Sequence, residues 1–131
     1  MKKNPILVAK RKQAIARGTI TEGGGRVLIN NKSLDAYPNR ILKLMISEPQ
    51  AISGDLYKKY DIDMTIKGGG EMARAHAARS IVAKCLARKE KSLKRRFLDY
   101  DRTLLVDDNR QTEPQKPYRS SARALKQTSY R

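Results

Sequence analysis

The chain is poor in the residues that usually staple or arm a small protein. It has one cysteine, one histidine, one phenylalanine and no tryptophan in 131 residues. A lone Cys85 closes no internal disulfide and a lone His76 builds no Cys/His cluster, so neither stapling nor a structural metal is expected. No apolar run approaches the roughly 18 residues that cross a bilayer, and no signal segment follows Met1. A soluble cytoplasmic protein with no membrane partner is the expectation. Acid is scarce as well: 13 Asp and Glu stand against 29 Lys and Arg, a net charge of +16.

Such a charge repels itself in a compact state unless a polyanion supplies the balance, which makes nucleic acid the default partner. The excess lies at the ends. Residues 1–17 hold six basic groups and no acid, and residues 109–131 hold six against Glu113 alone. The length suits one domain with a modest core. Periodicity places that domain over 1–100 and leaves 101–131 as a basic tail.

Within the domain, "ILVA" (6–9) and "AIARGTIT" (14–21) read as strands, and Gly23, Gly24 and Gly25 suggest a hairpin turn into a second strand at "RVLIN". Asn39 opens a short buried helix that Pro49 is expected to stop. "LYKKYD" reads as exposed helix. "IDMTIK" alternates Ile62, Met64 and Ile66 with polar residues, the period of a strand with one buried face. Glu71 to about Arg88 is the clearest helix: Ala75, Ala78, Val82, Cys85 and Leu86 share one arc, with His76, Ser80 and Lys84 opposite. "KSLKRRFL" continues as a second, basic helix, and from Asp99 the pattern fades.

Three stretches carry chemistry. "KGGGEMA" fits a G-x-G-x-x-A dinucleotide fingerprint through Gly68, Gly70 and Ala73, with Glu90 at a suitable distance. A small nucleotide-binding enzyme using this loop is therefore the rival reading. Its context is poor: Glu90 ends the same helix, no second βαβ unit fits in what remains, and no Gly-Lys-Ser/Thr is present. Bare amides there suit an RNA phosphate equally well, and a tight strand-to-helix turn explains the glycines without any ligand. In "KRKQAIARG", Lys10, Arg11, Lys12 and Arg17 lie in or beside a strand whose small Ala14, Ala16 and Gly18 are expected to let a phosphate backbone approach. His76, with no nucleophile or carboxylate supplied beside it, reads as solvated or RNA-facing, and Cys85 as an inert buried thiol. The tail spaces Arg110, Lys116, Arg119, Arg123, Lys126 and Arg131 among Tyr118 and Tyr130. That pattern suits an arm that follows phosphates better than a disordered solubilising end or a membrane anchor, which needs apolar residues.

In order along the chain, these segments resemble the small ribosomal subunit protein nine family in its archaeal and eukaryotic form. "KRKQAIAR" is similar to its opening strand, and "GGGRVLINNKSLDAY" to its hairpin, where Asn31 stands in place of a frequent Gly and still tolerates positive φ. "IKGGGEMARAHAAR" is similar to its Gly-Gly-Gly segment and helix, "DYDRTLLVDDNRQTEPQK" to its Asp/Arg region, and "SYR" to its terminus. The resemblance implies an α+β fold of the ribosomal protein S5 domain 2-like type: a mostly antiparallel sheet with helices on one face, a left-handed βαβ crossover and a long extended C-terminal tail. It implies no catalysis and a place in the head of the small subunit, on the 3′ major domain of the rRNA and among neighbouring ribosomal proteins. Expected rRNA contacts are Lys10, Arg11, Lys12, Arg17, Lys67, Gly68, Gly69, Gly70, His76 and Lys84, with Arg110, Lys116, Arg119 and Arg123 along the tail. The tail is expected to reach the peptidyl-site tRNA, with Lys126, Ser129, Tyr130 and Arg131 as the tRNA contacts. No cofactor and no homo-oligomer are expected.

Overall fold

Period-two alternation builds the sheet. In this computed structural model, which describes residues 4–125 and 127–131, β1 (Leu7–Arg11) and β2 (Ala14–Glu22) form a hairpin through Lys12 and Gln13, and β5 (Tyr60–Lys67) pairs antiparallel on the far side of β2. Next come β3 (Val27–Ile29), parallel to β5, and the short β4 (Lys32–Ser33), giving the order β1-β2-β5-β3-β4. One face of every long strand is buried: Ala14, Ala16 and Ile20 from β2, and Ile62, Met64 and Ile66 from β5. The chain is α+β with a mixed sheet, as expected.

The hairpin expected at Gly23–Gly25 is not formed, because β5 lies between β2 and β3. The glycine loop instead steps over the start of β5, tied there by Asp61, whose carboxylate accepts from the Gly24 and Arg26 amides at 2.8 and 2.9 Å. The real second hairpin joins β3 to β4 through Asn30 and Asn31, at φ +49 and +65. Asparagine is the residue besides glycine that most readily takes two successive left-handed conformations.

Helix α1 (Arg40–Ser53) begins where Asn39 accepts from the Ile41 and Leu42 amides. It does not stop at Pro49. The ring removes one amide and frees the Met45 carbonyl, yet Ile46, Pro49 and Ser53 are buried on one side, and that packing carries the helix through. The "LYKKYD" stretch is a 3-10 run over Gly54–Lys59 that leads into β5. Helix α2 (Glu71–Lys89) crosses the buried face of the sheet and packs on α1 and on α3 (Lys91–Tyr100), which buries Leu93 and Phe97. The arc read from the sequence, Ala75 to Leu86, is the buried face.

The small residues of β2 have a different use from the one expected. Ala14, Ala16 and Gly18 point to the helices, away from any partner, and a Cβ on Gly18 would stand 2.5 Å from Ile81 Cγ2. Opposed by Ala75, Ala77 and Ala78, they bring α2 close to the sheet. No helix of the described residues is long and apolar enough to cross a membrane.

Candidate nucleic-acid interface

If Ala14, Ala16 and Gly18 face inward, the residues between them face out. Among the described residues, the outer face of the sheet carries no helix. Across three strands, Lys10, Ile15 and Lys67 lie in one register row, and Val8, Arg17 and Thr65 in the next. Lys10, Arg17 and Lys67 are exposed, and none of the three enters an ion pair among the described residues. Between them runs a shallow groove of about 430 Å³ lined by Ile6, Ile15, Arg17, Thr19, Thr65 and Lys67, with Asp63 its single acid. Cations spread over a flat, partly apolar surface can neutralise phosphates while the ribose edges rest on aliphatic carbon.

At one end of this face, the loop between β5 and α2 lies on the β1–β2 turn. Gly68 and Gly69 have φ of +77 and +67, and Cβ atoms there would meet the Gln13 carbonyl oxygen at 2.6 Å and Ala14 at 2.9 Å. Close approach therefore accounts for these two glycines. Gly70 caps α2 without a side-chain bond, and Arg74 Nε donates to the Gly68 carbonyl at 3.0 Å. Lys12, at φ +51, sits beside this loop at the tip of the hairpin. No strand follows α2 among the described residues, so the βαβ unit that the dinucleotide reading requires is not built.

The polar side of α2 is covered by residues 101–110, a strap that periodicity did not reveal. Leu104 is fully buried, and Ser80 Oγ donates to the Thr103 carbonyl at 3.2 Å. Three aspartates hold three cations of the body. Asp101 accepts from Arg79 at 3.2 Å, Asp107 from Lys84 at 2.6 Å, and Asp108 lies 3.7 Å from Arg11. Lys84 also donates to the Val8 carbonyl, and Arg11 to that of Arg110. Among the described residues Arg79 is the one buried charged side chain, and Glu48 of α1 is its second partner. Tyr100 donates to the same Glu48.

The electrostatics of the strap follow from these contacts. Hydrogen bonds from the Arg110 side chain and amide hold the Asp108 carboxyl well below the usual carboxylate range. Burial pushes Asp101 up, but bonds from Thr103 and Arg79 outweigh it and the net shift is downward. His76, partly buried in the same pocket, is lowered from 6.5, first by burial and then by Arg11 and Arg79. Arg11, His76 and Lys84 therefore stand against body and strap, whereas Lys10, Lys12, Arg17 and Lys67 face outward. Arg79, Asp101, Asp107 and Asp108 were missed; the one available signal was three acids in ten residues of an otherwise basic end. Burial pushes the Cys85 thiol up to about 12, the inert state expected.

Beyond Arg110 no regular element forms among the described residues. Glu113 pairs with Lys116 and Arg123, Arg119 is half-buried, and Ser129, Tyr130 and Arg131 are exposed. Lys126 lies outside the described residues.

Fold, charge and site together define a class: a small, strongly basic α+β protein that displays cations on an uncovered sheet face and along its C-terminal segment. Residues 9–131 match the family model described as ribosomal protein S9/S16. The small ribosomal subunit protein uS9 of Methanococcus vannielii is 44% identical over 128 residues, covering 95% of this chain and 96% of that protein. Its counterpart in Methanococcus maripaludis is 42% identical over 128 residues with the same coverage. The chain belongs to the ribosomal protein S9/S16 family, and it is a ribosomal protein and not an enzyme.

Proposed function

We propose that the chain is a structural constituent of the cytoplasmic small ribosomal subunit, bound to the 3′ major domain of the rRNA in the head and extending its C-terminal end to the peptidyl-site tRNA. The observation that carries this reading is the open sheet face, where Lys10, Arg17 and Lys67 surround Ile15 with no acid paired to them. The family and the printed names of the relatives support the subunit. In the same reading the body over 1–100 is of the S5 domain 2-like type with a left-handed crossover, and 101–131 is the tail, its first ten residues strapped to the body. The sheet order, with β3 parallel to β5 and the helices on one face, agrees with that type. The tRNA role rests on Ser129, Tyr130 and Arg131, which contribute nothing to the core and are free to reach a partner.

Reconstitution tests both halves. The full chain should enter small subunits, and a chain lacking Ser129–Arg131 should enter equally well but leave subunits that bind peptidyl-site tRNA more weakly, because a terminus without core residues adds little to folding. Failure of the full chain to incorporate would overturn the subunit reading. Undiminished tRNA affinity in the truncated subunits would overturn the tRNA contact alone.

A further inference from the structure

The tail is not featureless between Glu113 and Ala124, where side chains close it into a loop. Glu113 accepts from Lys116 through one oxygen and from Arg123 through the other, at 2.7 Å for the arginine. Gln115 Nε2 donates to the Arg119 carbonyl at 3.1 Å, Lys116 Nζ also reaches the Ala122 carbonyl at 3.4 Å, and Ser121 Oγ accepts from the Ala124 amide at 3.2 Å.

At the tip of this loop stands Tyr118, at φ +63 and 95% exposed. The left-handed region is unfavourable for a bulky residue, and it persists only where surrounding contacts dictate it. Here the loop's own side-chain bonds do so, with Pro117 limiting the chain on the N-terminal side. The ring gains no packing in return. An aromatic held out by a closed loop, at the cost of backbone strain, is pre-organised for something outside the chain. The loop's surroundings say what: Lys116 and Arg119 stand two residues before and one after Tyr118 in sequence, Arg123 follows within the same loop, and Glu113, the one acid beyond Asp108, already pairs with Lys116 and Arg123. A free flat ring in a stretch this rich in cations matches a nucleic-acid base between its phosphates.

We propose that Tyr118 is a base-stacking residue, and that the Glu113–Ala124 loop offers its ring to an unpaired nucleobase of RNA while the flanking cations hold the adjoining phosphates. This rests on the RNA-binding reading above and adds to it a position and a mode of contact. Stacking onto a base needs an unpaired nucleotide, whereas phosphate neutralisation does not. The two are therefore separable.

The probe is a 12-nucleotide single-stranded RNA and the duplex made from it, titrated against the full chain at several salt concentrations. For Tyr118→Ala, affinity for the single strand should fall about tenfold, the scale of one stacked base. The slope of affinity against salt and the affinity for duplex should stay unchanged. Tyr118→Phe keeps the ring and should bind like the parent. Tyr118→Gly relieves the backbone strain but has no ring, and should lose as much as the alanine variant. Since the ring is exposed and the loop adds nothing to the core, none of the three should melt below the parent. Parent-like binding by the alanine variant, equal losses on strand and duplex, or recovery by the glycine variant would each overturn the stacking role while leaving RNA binding in place. If Tyr118→Ala keeps its RNA affinity yet fails to enter reconstituted subunits, the ring is a protein contact and the proposal falls. A parent chain that binds neither RNA overturns both readings.

Discussion

At Gly18 and Gly24, the same residue type answers to opposite surroundings. Gly18 lies under α2, where an added Cβ would meet Ile81 Cγ2 at 2.5 Å, while nothing stands within 4 Å of a Cβ on Gly24. Alanine suits a strand better than glycine does. Even so, Gly18→Ala is expected to cost about 1–3 kcal/mol, because Ile81 is β-branched, fully buried and has nowhere to move. Gly24→Ala should stay within about 0.5 kcal/mol of the parent. Urea unfolding of the two variants checks this, and equal midpoints would show that the helix does not approach the sheet as closely as the structure has it. The alternation of β2 already told that Ala14, Ala16 and Gly18 share a face. Which face it was could not be read from residue size, since small side chains serve a close partner helix and a close phosphate backbone alike.

Among the elements, the strap of residues 101–110 has the most distinctive physical signature. The carboxyls of Asp101 and Asp108 lie below their ordinary value of 3.8. As the pH falls, the unfolded chain takes up protons first, so the stability these groups add is complete above the unfolded carboxylate range and is lost as the pH drops through their folded values. His76, lowered from 6.5, acts in the same direction: protonation favours the unfolded chain once the pH falls below 6.5. The double variant Asp101→Asn, Asp108→Asn should therefore be less stable than the parent at neutral pH and should lose less on acidification from about pH 5 to pH 3. Parallel stability curves for variant and parent would contradict the strap. Elements with a strong period, such as β5 and α2, were legible from the sequence to within a residue or two. The insertion of β5 between β2 and β3 was not, because strand pairing over 40 residues leaves no local trace. Nor was the strap, whose hold on the body is mainly ionic and includes just one fully buried apolar side chain, Leu104.

For the whole molecule, the governing quantity is a charge of +16 and the way the fold divides it. The strap acids engage Arg11, Arg79 and Lys84, which leaves the open sheet face, the exposed Lys91, Lys94, Arg95 and Arg96 of α3 and the far tail as cationic surfaces. Composition had shown both ends to be basic. It could not separate Lys10 from Arg11, adjacent in sequence and on opposite faces of β1. The most direct test of the account is the salt dependence of affinity for the 3′ major domain of small-subunit rRNA, measured for the parent chain and for Lys10→Ala, Arg17→Ala, Lys67→Ala combined. With six or more phosphates neutralised, parent affinity should fall by about 10³ or more between 50 and 200 mM salt, and the triple variant should bind more weakly with a log–log slope shallower by about three. A salt-insensitive parent, or a triple variant with the parent's slope, would contradict the account.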